Sequence, residues 1–385
     1  MKFKHGVVAA LAATAFLALG TMAFAADTIK IAVAAPFTGT AAAYGDNVKA
    51  GVVMKVEEIN AKGGIGGKQV EAVFFDEQCE PREAATVSTK IAMDKELVGI
   101  IGHVCSSAHL AALPNYIREG VAVITPTATN VQISQKNTDA SGKVWSFRNV
   151  FRDDAQGSFL ADYASKVLGI KKVAVFHENN DYGIGLRDAF VKQAKADGLD
   201  VVGDEAYMKG AQDFTPQLTK IKSMNPEAIF ISGYFNEGAL IATQAKQLGL
   251  KVVKFGGDGL DNEDYIKLAD VAAEGTYLPA PFLAEVAGPA AKDFIEKYKS
   301  KFKRDVDYMS ANAYDATGIL LEAIAKVGAD RAKVRDYLAS ISSKDKAYNG
   351  VTGANYFDAK GDSSKPLFVK VVKDGKFVPA EKQMN

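Results

Sequence analysis

The sequence predicts an α/β protein made of two tandem units, each an open parallel sheet covered by helices on both faces. Three observations carry this expectation. Apolar, β-branched runs alternate with helical periodicity from residue 28 to residue 125; the same rhythm restarts at 171 and runs to 257; and 385 residues exceed what one hydrophobic core usually serves.

In the first unit TIKIAVAA (28–35) reads as a strand, and 45–59 as a helix through Val48, Val52, Val56 and Ile59. QVEAVFF (69–75), LVGIIG (97–102) and VAVIT (121–125) are strands, separated by helices over 82–93 and 107–118. That βαβαβαβ order is the mark of a parallel sheet buried on both faces. The second unit has strands at 171–176, 201–207, 227–232 and 251–257, with helices over 185–196, 214–223 and 237–248. The rhythm then breaks. Helical patterns over 290–301, 310–327 and 331–340 come without strands between them, so they are expected to cover an existing sheet. A hairpin, PLFVKVVKDGKFV, turns at Asp374-Gly375, a favoured two-residue turn. The chain is therefore expected to cross between units near 146–152, 275–281 and 350–358.

The first 25 residues differ from the rest. Lys2 and Lys4 precede an apolar run from Val7 to Leu19, and Ala23-Phe24-Ala25 places small residues where a signal peptidase reads them. A cleaved leader over 1–25 and a freely soluble exported protein are the expectation, since the run is short for a membrane span. Removing the two lysines leaves 44 basic against 46 acidic residues, a net charge of −2. No basic run or stripe points to nucleic acid. Export also bears on Cys79 and Cys105, the only cysteines: an oxidising compartment favours a disulfide over a metal site or a thiol nucleophile. Closing that loop would stabilise by about 3–4 kcal/mol in the chain-entropy model.

Two stretches invite stronger chemistry. KGGIGGK (62–68) suggests a phosphate loop, but it follows a helix and precedes a strand, the reverse of what a dinucleotide fingerprint needs, so a helix stop and turn is expected. GHVCSSAH (102–109) gathers two histidines, a cysteine and two serines. A serine nucleophile would need G-x-S-x-G, which the chain does not spell, and a metal would have to take Cys105 from its oxidised partner. What remains is geometric. Ser106 and Ser107 lie where a strand passes into a helix, whose unpaired N–H groups and dipole suit an anion such as a carboxylate. A serine that merely caps its own helix is the other possibility, and the local sequence leaves both open. ITPTATN (124–130) then repeats the pattern with three threonines at the next strand end. Two hydroxyl-rich ends on the carboxyl edge of one parallel sheet favour ligand binding, because that edge is where such folds bind.

With these residues in place the chain resembles the periplasmic leucine/isoleucine/valine-binding proteins, the solute receptors of branched-chain amino acid ABC transporters. The resemblance runs through IAVAAPFTGTAAAYGD (31–46), INAKGGIGGK, DEQCEP, GHVCSSAH, ITPTAT, HENNDYGIG, ISGYFNEG and FGGDG, in order and over essentially the whole mature chain. It implies a type I periplasmic binding fold: two Rossmann-like lobes joined by three crossovers, the ligand cleft between them. The implied lobes are 26–147 plus 279–352 and 148–278 plus 353–385. Cys79 and Cys105 match the family's disulfide. Ser106, Thr129 and Tyr234 match residues around the ligand carboxylate; Thr127, Thr129 and Asp258 match those around its ammonium; Tyr44, Cys105 and Tyr182 match the side-chain pocket. Where this chain has Asp258 the family usually has glutamate, and where it has Thr127 often alanine.

The physics of a buried zwitterion agrees, since both charges need partners when water is removed. The expected function is thus a periplasmic receptor, not an enzyme, that binds a hydrophobic L-amino acid, branched-chain by resemblance, and delivers it to a membrane permease. No cofactor, metal or nucleic acid is implied, and a monomer is expected. The alternatives are the same fold holding another small amine, an amide or an aromatic acid, and a secreted hydrolase using Ser106. Three further aromatic residues have structural readings: Tyr277 as packing, Trp145 as a buried strand end, and His177 as structural or on the cleft rim.

Overall fold

The computed structural model describes residues 28–384; the leader expected over 1–25 lies outside the described residues. The chain opens β1 (Ile29–Ala35), α1 (Ala42–Ala61), β2 (Val70–Asp76), α2 (Pro81–Met93), β3 (Leu97–Gly102), α3 (Ser106–Glu119), β4 (Val123–Thr125), α4 (Val131–Gln135) and β5 (Ser146–Arg148). It continues with α5 (Asp153–Asp162), β6 (Lys172–Glu178), α6 (Asp181–Ala196), β7 (Asp200–Tyr207), α7 (Thr215–Ser223), β8 (Ala228–Ser232), α8 (Phe235–Gln247), β9 (Val253–Gly256), α9 (Glu263–Ala269) and β10 (Thr276–Ala280). Then come α10 (Pro289–Phe302), α11 (Tyr308–Val327), α12 (Arg331–Ser340), a short hairpin of β11 (Tyr348–Gly350) and β12 (Gly353–Asn355), and the hairpin β13 (Phe368–Lys373) and β14 (Lys376–Pro379).

Two sheets result. The first is parallel throughout, in the order β2-β1-β3-β4-β5. The second runs β14-β13-β10-β9-β8-β6-β7, with a parallel body and the antiparallel β13–β14 hairpin on its edge. Helices on both faces explain why the central strands read as unbroken apolar runs: every residue of LVGIIG in β3 and of AIFIS in β8 is buried. The helices that break the rhythm do act as cover, α11 packing on α1, β3 and β4, and α12 on β3.

The chain passes between the sheets at 149–152, 281–288 and 356–367. The second passage starts later than the expected 275–281, because β10 is a full strand of the second sheet. Its sequence TYLPA is short and contains proline, which hides it from periodicity. The first and third passages are tied together. Arg148 donates to Asp362 at 2.9 Å, both side chains buried, and the Arg148 N–H donates to Gly361 O at 2.8 Å. Ser134 and Arg152 also donate to the same carboxylate, so the buried charge is fully engaged.

KGGIGGK is the expected turn. Gly63, Gly64, Gly66 and Gly67 all take positive φ, between 58° and 97°, and Ile65 bridges Lys68 across it. Cys79 and Cys105 form a disulfide, with Cα atoms 5.4 Å apart.

Candidate functional site

In each sheet the strand order reverses beside its first strand, and the carboxyl ends of the strands at that point and of the next strand along supply the site. From the first sheet come Tyr44 in α1 after β1, Ser106 opening α3 after β3, and Thr127 and Thr129 after β4. From the second come Tyr182 in α6 after β6, Tyr234 before α8, and Asp258 after β9. All seven line one cavity, together with Val104, Gly259, Tyr308 and Met309. The free space they enclose is about 20 Å³, close to what a single water needs, so the walls stand nearly in contact. Cys105, expected as part of the wall, does not line it: Val104 and Ser106 on either side do, and Cys105 turns to Cys79.

The hydroxyl edge is held by its own lobe. Cys105 is the N-cap of α3, and its side chain makes no capping bond. Ser106 is thus the first helical residue, and its Oγ accepts the Asn130 N–H at 3.2 Å instead of capping its helix. The hydroxyl proton stays available to a ligand oxygen. Thr125 donates to His103 O at 2.8 Å and Thr127 to Val104 O at 2.9 Å, which fixes the loop after β4 against the loop after β3. With the Thr127 hydroxyl proton committed, its carbonyl is the group suited to a donor. Thr129 Oγ1 is buried with no hydrogen-bond partner.

The acidic end is built differently. Asp258 Oδ1 accepts from Tyr182 Oη at 2.8 Å and from Gln156 Nε2 at 3.0 Å, while Oδ2 accepts from Tyr308 Oη at 2.8 Å. Burial raises the Asp258 pKa, and these three donors oppose the shift. A carboxylate offers about four acceptor positions, so Oδ2 keeps one for a further donor. The glycines of FGGDG serve this approach. A Cβ on Gly257 would lie 2.6 Å from Tyr182 Oη, and one on Gly259 2.5 Å from Gly233 O. Tyr182 stacks on Tyr234 with ring centroids 5.0 Å apart, and Tyr44 lies 5.8 Å from Tyr234. Burial holds all of these phenols well above the usual range, so they stay neutral.

The lobes touch across the cleft. Tyr44 Oη donates to Gly259 O at 2.5 Å and accepts the Phe235 N–H at 3.1 Å. Ser107 Oγ accepts the Asp181 N–H at 3.1 Å, Asn130 donates to Asp181 O at 2.5 Å, and Lys209 pairs with Glu80 at 2.5 Å.

The reactive-looking residues of GHVCSSAH have structural partners. His103 Nε2 shares a hydrogen bond with Tyr116 Oη at 2.7 Å, and His109 Nε2 with Ser146 Oγ at 2.8 Å. His109 Nδ1 accepts the His103 N–H, so Nε2 carries the proton, and burial pushes its pKa well below the usual value. His177 pairs with Asp204 at 2.8 Å. Trp145 precedes β5 rather than ending a strand, donating to Asp139 at 2.9 Å, and Tyr277 packs between Tyr163 and Phe255.

Two contributors escape a reading of the sequence by periodicity. Tyr308 opens α11, two residues before the helix expected from Ser310; the available signal was Asp307, whose side chain caps the Ser310 N–H at 2.9 Å. The other is α5, which carries Asp153 and Gln156. DDAQGSF, with its glycine and polar run, shows no clear periodicity, although two aspartates in a first turn suit a helix N-terminus. Asp153 is fully buried, and burial together with nearby Asp258 pushes its pKa up to about 7.

Comparison with known proteins follows the same lines. A family model described as periplasmic binding protein matches residues 28–376. The leucine-, isoleucine-, valine-, threonine-, and alanine-binding protein of Pseudomonas aeruginosa is 34% identical over 91% of each chain. The crystal structure of the leucine binding protein LivK from Thermotoga maritima superposes with a TM-score of 0.86 at 34% identity, covering 93% of this chain and 99% of that one. The branched-chain amino acid transporter substrate binding protein LivJ from Streptococcus pneumoniae, solved with isoleucine, gives a TM-score of 0.85 at 31% identity, covering 92% and 98%.

Proposed function

The chain belongs to the periplasmic binding protein family, and from that premise we propose that it is an exported receptor for a small hydrophobic L-amino acid, branched-chain or close to it in size, which it passes to an ABC transporter permease. The observation that carries the reading is the meeting of hydroxyls from one lobe and a buried carboxylate from the other at one small cavity. Ser106 and Thr129, with Tyr234 opposite, face the ligand carboxylate. The Thr127 carbonyl, Thr129 Oγ1 and the open position on Asp258 Oδ2 take the three ammonium protons. Tyr44, Tyr182 and Val104 enclose the side chain. No group is assigned to bond breaking, because both histidines of the cluster are committed to Tyr116 and Ser146.

The protein acts in the periplasm after loss of its leader, as a monomer whose two lobes are joined by the passages at 149–152, 281–288 and 356–367. Closure traps the ligand because contacts from both lobes exist only when the cleft is shut. A ligand lacking the amine leaves Asp258 buried without its cation, which disfavours aromatic acids. A thermal-shift panel of L-amino acids, aliphatic amides and aromatic carboxylates tests the reading. A ligand at about 100 times its Kd stabilises by about 2.7 kcal/mol, so leucine, isoleucine, valine, threonine or alanine should raise Tm by several degrees. A shift with benzoate or an amide and none with any amino acid would overturn it.

A further inference from the structure

We propose that Asp153 is a second carboxylate of the ammonium end, a positioning residue that orients Thr129 and, through Gln156, Asp258, and so makes the site demand an amine. This rests on the amino-acid reading above. Asp153 opens α5 after the first passage between lobes and has no exposed surface. Its N–H donates to Thr129 O at 2.9 Å, which anchors the loop carrying a cavity-lining threonine. The Gln156 amide nitrogen donates to Asp153 Oδ1 at 2.9 Å and to Asp258 Oδ1 at 3.0 Å, and its Oε1 accepts the Asp258 N–H at 3.2 Å. One neutral amide thus clamps two buried carboxylates.

Asp153 Oδ2 and Thr129 Oγ1 are both buried and without a well-formed hydrogen bond, although Thr129 is close enough to lower the Asp153 pKa in part. The pair also lacks a free cation. Arg148 on β5 faces Asp153, but its guanidinium is committed to Asp362 and to the carbonyls of Ala128 and Asn130. Tyr182 on α6 and Tyr234 before α8 face Asp153 as neutral phenols, and the neighbouring Arg152 and Asp154 pair with each other. Asp258 has the Tyr182 and Tyr308 hydroxyls besides the shared amide, whereas Asp153 leans on the amide alone, and two buried carboxylates so close cannot both stay ionised at low cost. In the empty site they hold a proton between them; an ammonium arriving at Thr129 and Asp258 replaces it. The sign follows: the empty site binds more protons than the occupied one, so binding releases a proton and affinity falls as pH drops through the neutral range.

Isothermal titration of the full mature chain with L-leucine, L-valine and L-alanine tests this, run from about pH 5.5 to about pH 8.5 in phosphate and in Tris, whose ionisation heats differ. Wild type should release roughly half a proton or more per ligand near pH 7 and lose about tenfold in affinity across that range. Asp153→Asn, checked for an unchanged fold by its melting transition, should bind at every pH as wild type does at acid pH. It should also lose most of its preference for leucine over 4-methylpentanoate, the same skeleton without the amine. If that variant does not fold, proton release by the wild type decides alone. Binding without proton release, with Asp153→Asn unchanged in affinity and pH slope, overturns the role of Asp153 and leaves the receptor reading standing. A wild type that binds none of the three amino acids overturns both.

Discussion

At the carboxyl edge of the five-stranded sheet the cavity wall is Ser106, Thr127 and Thr129; at that of the seven-stranded sheet it is Tyr182, Tyr234 and Asp258. The first set is short, and its hydrogen bonds to Asn130, Val104 and their neighbours stay within the lobe. The second set is long, and its bonds extend into the other lobe: Asp258 accepts from Tyr308 of α11, and Gly259 accepts from Tyr44 of α1. The difference teaches a division of labour. Short side chains at strand ends cost little conformational entropy to hold in place, so that edge is ready before a ligand arrives. The buried acid has Tyr182 and Gln156 from its own lobe but reaches Tyr308 only across the cleft, so part of this edge is completed by closure.

The sharpest way to break this comparison is at Asp258. Asp258→Ala removes the acceptor of three donors and the proposed partner of a ligand amine, and should weaken amino-acid binding by about 2–5 kcal/mol by calorimetry. Affinity close to wild type would take Asp258 out of the site. Ser106→Ala should cost less, about 1–3 kcal/mol, because it strands one backbone N–H, that of Asn130, and one ligand oxygen. If Ser106→Ala proved the more damaging of the two, the order of the lobes would be reversed. The smallest effect belongs to Tyr44→Phe, which keeps the ring but deletes the bonds to Gly259 and Phe235. About 0.5–1.5 kcal/mol of closure should be lost, seen as a larger radius of gyration in solution scattering of the free protein. Identical scattering would mean that this contact does not hold the cleft shut.

Strong periodicity made most elements legible. β3 appears at 97–102 as read, and the strand ends bearing Ser106, Thr127 and Thr129 could be placed because a strand followed by a helix has only one carboxyl end. Elements with weak local patterns were lost: α5 behind Gly157, β10 behind Pro279, and the first turn of α11 behind a single capping aspartate. Those losses fell on Asp153, Gln156 and Tyr308. All three act on Asp258, which lies 105, 102 and 50 residues away along the chain. The histidines erred the other way. Their residue types suggested chemistry, while burial against Tyr116 and Ser146 made them structural.

Taken alone, the sequence determined the two α/β units, the hydroxyl-bearing edge and the two-cysteine pairing, because each depends on local periodicity or on residue count. Only the tertiary structure decided that one glutamine joins the cavity's Asp258 to a second buried acid behind it, that Cys105 turns away from the cavity, and that Tyr44 reaches the other lobe. Such meetings are set by how two sheets pack across a cleft, and no local pattern in the chain encodes a contact made a hundred residues away.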